Sequence, residues 1–276
     1  MTIKQYAKKV KKLIEEKGVN VTIIEAEKAN GIVMTGIAYK NLSVSPTIYL
    51  DDMFRDNHDP DEAATYVMEM LEKYETPEGP MNDFIRKFVN DGLFSDYENV
   101  RPLLRARFYN KKTSADVSMS AEKYGFPDLI IVPSIVLDSG EDEVCGSIKV
   151  TSSHCNLWGV DKETVLQDAI NNIGEPVLMR VEDLLPVPAE LDFTMLVVTN
   201  KNRCFGASSV LTAFDRLKAI YPDGFVVIPS SLHEVIVTPI FEDHLSWYND
   251  MIGFVNGNSL KPEEVLGENA YVFYPV

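Results

Sequence analysis

The apolar positions in the first quarter of the chain change period twice. They recur every three or four residues from residue 3 to residue 17, which predicts an amphipathic helix, and Thr2 and Gln5 have the capping-box spacing at its start. The stretches VNVTIIEAE, GIVMTGIAY and SPTIYL then predict three strands joined as hairpins. A second helix is predicted from Asp59, with Asp59 as its N-cap and Pro60 as its first helical residue.

The remainder of the chain mixes the two periods. Strands are predicted in LRARFY, over residues 129–137, 144–152 and 193–199, and in FVVI, EVIVTP and AYVFYP. Helices are predicted near residues 84–89, after an N-cap at Asp161, and over about 207–221 and 242–255. Because most strands follow one another as hairpins with helices interspersed, the pattern predicts an α+β fold with antiparallel or mixed sheets.

Two proline-rich segments, ETPEGPMND and LLPVPAELD, have the composition of linkers. The first divides the chain into an N-terminal module of residues 1–78, with a helix, three strands and a helix, and a C-terminal α+β domain of residues 79–276. A single domain is the alternative, since 276 residues can bury one large core.

Charge and hydropathy narrow the possible functions. The formal net charge of −16 would repel a phosphate backbone, so nucleic-acid binding is not expected. The longest apolar run, LIIVPSIVL, is too short to cross a bilayer, and the lysine-rich start does not have the pattern of a secretory signal, so a cytoplasmic location is expected. The three cysteines are odd in number and lack CxxC spacing, and no phosphate-binding glycine motif occurs. We therefore expect no disulfide framework and no cofactor.

Three residues are candidates for binding. In RPLLRARFYNKK, alternation places Arg105 and Arg107 on one face of the predicted strand and apolar residues on the other. A solvated strand face is favoured over a nucleic-acid patch. Trp158 precedes the predicted N-cap at Asp161, where it is expected to anchor the start of the helix in the core rather than to stack on a ligand.

The stretch VVIPSSLHEVIVTP contains the residue types of a hydrolase site. The catalytic candidates are Ser230, Ser231, His233 and Glu234. In an extended chain the side chains of Ser231 and His233 would lie roughly 6 to 7 Å apart, and the G-x-S-x-G spacing is absent, so a polar hairpin turn is favoured. A nucleophile elsewhere, such as Ser208, Ser209 or a cysteine, keeps the hydrolase as an alternative.

Two further clusters are better explained by structural roles than by a metal site or a reactive thiol. A metal site would use His233 with Glu242, Asp243 and His244, but the spacing is not H-E-x-x-H and acids suit a helix start, so no metal is predicted. His154 beside Cys155 could lower a thiol pKa. Neighbours in a strand point to opposite faces, so a buried thiol and a turn histidine are predicted instead.

Several longer motifs resemble a known family. TNKNRCFGASSVL, GFVVIPSSLHEVIVTP and MIGFVNGNSLKPEEVLGENAYVF, with MTGI, SPTIYL and NLWGVDKETVLQDAINN upstream, resemble in order and spacing an uncharacterised family from anaerobic Gram-positive gut bacteria. The chain departs from it at Ser152 to Cys155, where a threonine-asparagine turn is expected, and at LGENAYVF. The resemblance implies a bacterial cytoplasmic protein linked to mobile elements, and it assigns no site residues.

We therefore expect a non-enzymatic binding protein whose partner is another protein. A nucleic-acid enzyme is one such partner, since an acidic protein could compete with nucleic acid for it. The alternatives are a hydrolase that uses His233 with a serine or cysteine, and an assembly component that self-associates through a sheet edge. The sequence leaves the oligomeric state open.

Overall fold

A computed structural model describes residues 1–40, 45–75, 92–137, 146–184, 194–241 and 245–275. The chain divides into two compact units, Met1–Asp96 and Tyr97–Val276. The boundary predicted between residues 78 and 79 lies outside the described residues and stays a prediction. The predicted helix at 84–89 also lies outside the described residues, as do residues 242–244 at the start of the helix predicted over about 242–255.

The first unit contains the elements that hydrophobic periodicity predicts and one short helix, α2, that was not predicted. Its helices and strands are α1 (Ile3–Glu16), β1 (Val21–Glu27), β2 (Val33–Tyr39), β3 (Ile48–Tyr49), α2 (Asp51–Arg55) and α3 (Pro60–Glu75). The strands form an antiparallel sheet in the order β1-β2-β3. The capping box is present, since the Gln5 N–H donates to Thr2 Oγ1 over 3.3 Å and the Thr2 N–H donates to Gln5 Oε1 over 3.0 Å.

The core of the first unit lies between helices and sheet. Tyr6 and Val10 of α1 pack with Ile37 of β2 and with Val67 and Leu71 of α3 in one cluster of buried side chains. The lysine-rich face of α1 is left at the surface. Periodicity alone therefore accounts for this unit, because each element buries one apolar stripe against the others.

The second unit is larger and begins with α4 (Tyr97–Val100). Its remaining strands and helices are β4 (Leu104–Asn110), β5 (Met119–Ser120), β6 (Leu129–Leu137), β7 (Gly146–Lys149), α5 (Ser152–Trp158), α6 (Lys162–Asn171), β8 (Val177–Arg180), β9 (Leu196–Thr199), α7 (Val210–Ile220), β10 (Phe225–Pro229), β11 (Val235–Pro239), α8 (Leu245–Asn258) and β12 (Tyr271–Phe273).

These strands form two antiparallel sheets. One has the order β4-β6-β5, with β7 also pairing with β6, and the other has the order β12-β10-β11-β9-β8. The predicted α+β fold is confirmed, and the described sheets are antiparallel rather than mixed. The polar stretch at 230–234 connects β10 to β11, as a hairpin requires.

An aromatic cluster joins the two sheets of the second unit. The fully buried ring of Phe126 lies 5.1 Å from Phe108 on β4, 4.9 Å from Tyr271 and 5.4 Å from Phe273 on β12, measured between ring centroids. The Tyr271 hydroxyl donates to Asp128 Oδ1 over 2.6 Å, which satisfies its polar end. This cluster fixes β4 relative to the larger sheet, and β4 carries the two candidate arginines.

The strand predicted at 144–152 is wrong at its C-terminal end. The strand ends at Lys149, and α5 places His154 and Cys155 in a helix. The helix begins there because the Thr151 N–H donates to His154 Nδ1 over 3.1 Å and the Ser152 N–H donates to Asp116 Oδ2 over 2.9 Å. The short strands β5 and β8 were not predicted, because two to four residues carry no measurable period.

The cap at α5 predicts a pH dependence of stability. Burial lowers the pKa of His154 below its ordinary value, and Asp116 opposes the effect. The unfolded chain therefore takes up this proton at a higher pH than the folded chain does, so stability is full above about pH 6.5 and falls as the pH is lowered. His154→Gln should flatten the fall between about pH 7 and pH 5.

Urea unfolding at several pH values measures this effect. Trp158 and Trp247 are the two tryptophans of the chain and both lie in the second unit, so their fluorescence reports on that unit. Curves of unfolding free energy against pH that run parallel for wild type and His154→Gln would contradict the prediction.

Candidate functional site

The polar turn at residues 230–234 satisfies its own hydrogen bonds. The hydroxyls of Ser230 and Ser231 lie 3.2 and 3.1 Å from Glu234 Oε1 and donate to it. The His233 N–H donates to Ser231 Oγ over 3.0 Å, and the Ser231 N–H donates to the Glu234 carbonyl over 3.1 Å. The turn thus brings both serines to the glutamate.

His233 holds a neighbouring loop in place. Its Nδ1 accepts a hydrogen bond from the Phe205 N–H over 3.3 Å, and its ring centroid lies 5.4 Å from that of Phe205. Its carbonyl accepts from the Gly206 N–H over 3.0 Å and from Thr199 Oγ1 over 2.7 Å. The bonds from Phe205 and Gly206 attach residues 200–206, which we call the Phe205 loop, to the β10–β11 turn, and the bond from Thr199 attaches the end of β9 to it.

The Phe205 loop has a strained backbone. Arg203 and Phe205 both have φ near +50°, a region that residues other than glycine rarely adopt. Two hydrogen bonds of Asn200 offset this backbone strain. Its Nδ2 donates to the Cys204 carbonyl over 2.8 Å, and its Oδ1 accepts from the Cys204 N–H over 3.2 Å. The loop is therefore held in one conformation from both ends.

Gly206 is required where the loop returns to the sheet. A Cβ at this position would lie 2.3 Å from Thr199 Oγ1 and 2.8 Å from the His233 carbonyl oxygen. Any side chain would therefore push the loop away from the His233 backbone. The loop can approach both β9 and the turn this closely because residue 206 has no side chain.

A cavity of about 300 Å³ lies between the Phe205 loop and β4. Among the residues that the structure describes, its charged lining is three basic side chains and one acidic one, namely Arg105, Arg107, Lys201 and Glu175. Ser208 and Ser209, in the short turn that leads into α7, also line it, and Ser208 Oγ donates to the Ala106 carbonyl over 2.7 Å. The described lining is therefore basic.

Arg107 is the most unusual residue in this cavity. Its side chain is 3% exposed, its Cζ lies 4.0 Å from the centroid of the Phe205 ring, and its Nη1 donates to Ser147 Oγ over 2.8 Å. Its Nη2 is buried and has no hydrogen-bond partner among the residues that the structure describes. Among the ion pairs that the structure describes, none includes Arg107.

Tyr109 interacts with Arg107, whereas Arg105 forms its hydrogen bonds elsewhere. Burial raises the pKa of the Tyr109 hydroxyl, and the charge and hydrogen bond of Arg107 oppose that rise. Arg105 is half-buried, and its Nη1 donates over 2.7 Å to each of the Pro102 and Leu104 carbonyls. The two arginines therefore differ. Arg105 Nη1 has backbone acceptors in the adjoining turn, whereas Arg107 Nη2 has no acceptor among the described residues.

The structure brings together only part of the predicted set. Arg105, Arg107, Cys204, Ser208 and Ser209 share the cavity. Ser230, Ser231 and Glu234 form the turn, and His233 lies behind the Phe205 loop. Trp158 is buried and its ring stacks on His154 at 5.7 Å between centroids, as expected for a residue that anchors a helix.

The sequence reasoning missed the Phe205 loop itself. Phe205 and Lys201 belong to TNKNRCFG, which contributed to the family resemblance but has no chemical signature of its own. Glu175 was missed because it follows α6, far along the chain from β4. Within the described residues, no group of three or more His, Cys, Asp or Glu side chains could hold a metal ion, and no helix is long and apolar enough to span a membrane.

Comparison with known proteins gives one result. Residues 3–274 match the model of a family of unknown function, DUF5688. The chain belongs to this family. The predicted membership of a family of unknown function is thereby confirmed for nearly the whole DUF5688 chain. No curated protein and no solved structure matches it.

The contact at Gly206 in this DUF5688 chain predicts a specific loss of stability. Gly206→Ala should lower the free energy of unfolding by about 1 to 3 kcal/mol, because the new methyl group overlaps Thr199 and the His233 backbone. Urea unfolding followed by tryptophan fluorescence measures the change.

Gly257→Ala provides the matched control. Gly257 lies in α8, and a Cβ there would meet nothing within 4 Å, so alanine should leave stability unchanged or raise it by about 0.4 to 1 kcal/mol. Equal effects of the two substitutions would show that the close approach at Gly206 does not hold the loop.

Proposed function

We propose that this chain is a non-enzymatic binding protein that holds an anionic ligand in the cavity at Arg107. One observation carries the proposal: a guanidinium that is 3% exposed and has no ion-pair partner among the described residues lines a cavity of about 300 Å³. A buried charge without a charged partner costs several kcal/mol. An anionic ligand in the cavity would offset that cost through its charge.

The charge distribution supports the same proposal. The whole chain carries a formal charge of −16, yet within the described part of the chain the charged lining of the cavity consists of Arg105, Arg107, Lys201 and Glu175. Low-dielectric walls strengthen the field of such a local cluster and raise the local concentration of anions. An acidic surface around a basic cavity also disfavours a long polyanion, which would meet like charge outside.

The hydrolase alternative has less support in the geometry. Because His233 Nδ1 accepts from the Phe205 N–H, the neutral ring carries its hydrogen on Nε2. The one lone pair that could take a proton from a nucleophile is therefore already in a hydrogen bond. Ser230 and Ser231 donate their hydroxyl hydrogens to Glu234.

Activity-based labelling compares the two functions directly. We expect that neither a fluorophosphonate probe nor iodoacetamide gives labelling of the native protein that His233→Ala removes. Iodoacetamide labelling of a cysteine that is equal in wild type and in His233→Ala agrees with a binding protein. Fluorophosphonate labelling that is lost in His233→Ala would support the hydrolase and count against our proposal.

A thermal-shift experiment tests binding through Arg107. A small-molecule extract of bacterial cells should raise the midpoint of thermal unfolding of the wild-type protein, because a ligand that binds only the folded state stabilises it. Arg107→Gln should abolish the shift. Arg180→Gln, which removes an exposed arginine that is not part of the cavity lining, should keep it.

Either of two results would overturn the proposal. One is an extract that gives no shift with wild type, and the other is a shift that is equal in Arg107→Gln and wild type. The predicted protein partner and the cytoplasmic setting stay predictions. A cavity of this size supports a small ligand or a single acidic side chain rather than an extended protein surface.

A further inference from the structure

The charge of the cavity lining limits the kind of anion that it could hold. Three of its described charged residues are basic and one is acidic, so the formal charge of this lining is +2. A monoanion would leave part of that charge uncompensated in low-dielectric surroundings, whereas a dianion would balance it. The cavity therefore favours a ligand with two negative charges.

The sheet face that carries Arg105 and Arg107 bears a further cation. Ser134 of β6 is the register partner of Arg105 on β4 and of Lys149 on β7, and register partners point to the same face. Lys149 Nζ lies 5.5 Å from the centroid of the Tyr109 ring, and Tyr109 alternates with Arg107 along β4. The positive charge on this face thus extends beyond the cavity lining.

The cations of the lining lie on two different elements. Arg105 and Arg107 belong to β4, whereas Lys201 belongs to the Phe205 loop and is exposed. Among the ion pairs that the structure describes, none includes Lys201. Positive charge on two walls complements two negative groups that are separated by a short spacer better than it complements one compact dianion.

The Phe205 loop supplies no phosphate-binding nest. Phosphate sites in loops use successive backbone N–H groups that point outward at the anion. Here the four consecutive N–H groups of residues 203–206 all donate within the protein. Their acceptors are the Asn200 carbonyl, Asn200 Oδ1, His233 Nδ1 and the His233 carbonyl. A phosphate in the cavity would therefore lack the backbone donors that such sites provide.

The uncharged part of the lining is largely polar. Among its described residues, five have amide or hydroxyl side chains, namely Asn172, Asn200, Asn202, Ser208 and Ser209. Ser209 is 2% exposed, and no hydrogen bond among the described residues uses its hydroxyl. A polar group on the ligand would satisfy this hydroxyl. The lining thus suits a ligand that has a hydroxyl or a similar group between its charged ends.

We infer that the ligand is a short, polar dicarboxylic acid with one carboxylate near the arginines of β4 and the other near Lys201. This inference rests on the proposed function, since it names the class of ligand for the same cavity. Arg107 acts on the ligand through its charge and not through Nη2, which is buried within the protein. The volume of about 300 Å³ limits the acid to a short chain.

Calorimetric titration with defined probes tests the ligand class. Succinate and the two enantiomers of malate are the dicarboxylate probes, succinamate has a neutral amide in place of one carboxylate of succinate, and inorganic phosphate is the compact dianion. Succinamate should bind about tenfold more weakly than succinate or worse, because it loses one charge-assisted interaction. At least one enantiomer of malate should bind more tightly than succinate, and phosphate should bind more weakly than either dicarboxylate at equal ionic strength.

Lys201→Gln tests the position of the second carboxylate. It removes an exposed ammonium, so the variant should fold, and it should weaken succinate binding about fivefold or more while changing succinamate binding less. Lys218→Gln is the matched control, since it removes an exposed lysine of α7 that is not part of the described lining, and it should bind succinate as wild type does. The comparison of succinate with succinamate uses the wild-type protein and needs no substitution.

The outcomes separate this inference from the proposed function. Phosphate binding that exceeds dicarboxylate binding, or a cell extract that acts through Arg107 while succinate and malate fail to bind, overturns the ligand class and leaves the binding function standing. Succinamate binding equal to that of succinate, malate binding no tighter than that of succinate, or equal losses of both probes in Lys201→Gln overturn the ligand class as well. Failure of every probe together with failure of the extract overturns both.

Discussion

The charge of Arg107 constrains the second unit more than any other interaction. A guanidinium with 3% of its side chain exposed has left water, and folding must compensate that loss with nearby dipoles or charges. The protein supplies the hydroxyls of Ser147 and Tyr109 and the face of Phe205, and all three are weaker partners than a carboxylate. The position of β4, the shape of the Phe205 loop and the basic lining of the cavity all surround this one side chain.

The Phe205 loop shows how the fold maintains that arrangement. Positive φ values at Arg203 and Phe205 cost free energy, and the surrounding hydrogen bonds hold them. His233 provides two of these bonds, one through its carbonyl and one through its ring. The residue that most resembles a catalyst in the sequence therefore has a positioning role: it holds the ring of Phe205 under Arg107. A rigid loop of this kind prepares a binding site before the ligand arrives.

The sequence predicts the fold better than it predicts the cavity. Periodicity and capping residues locate α1, α3, α6 and the β10–β11 hairpin, because each depends on neighbours within a few positions. Alternation in β4 correctly separates Arg105 and Arg107 from the apolar face. It favours a solvated face, however, and the burial of Arg107 could not be predicted because it depends on Ser147 and on a loop almost a hundred residues away. The same limit applies at α5, where a cap formed by Asp116 and His154 ends a run of residues typical of a strand.

A crystal structure of the protein crystallised with the small-molecule extract that raises its unfolding midpoint tests the central claim most directly. The account predicts an anionic ligand in the cavity beside Arg107, with Phe205 still beneath the guanidinium. A carboxylate of the chain itself paired with the Arg107 guanidinium, with no ligand in the cavity, would contradict it. The charge of Arg107 would then be paired within the fold, and the cavity would no longer indicate a ligand.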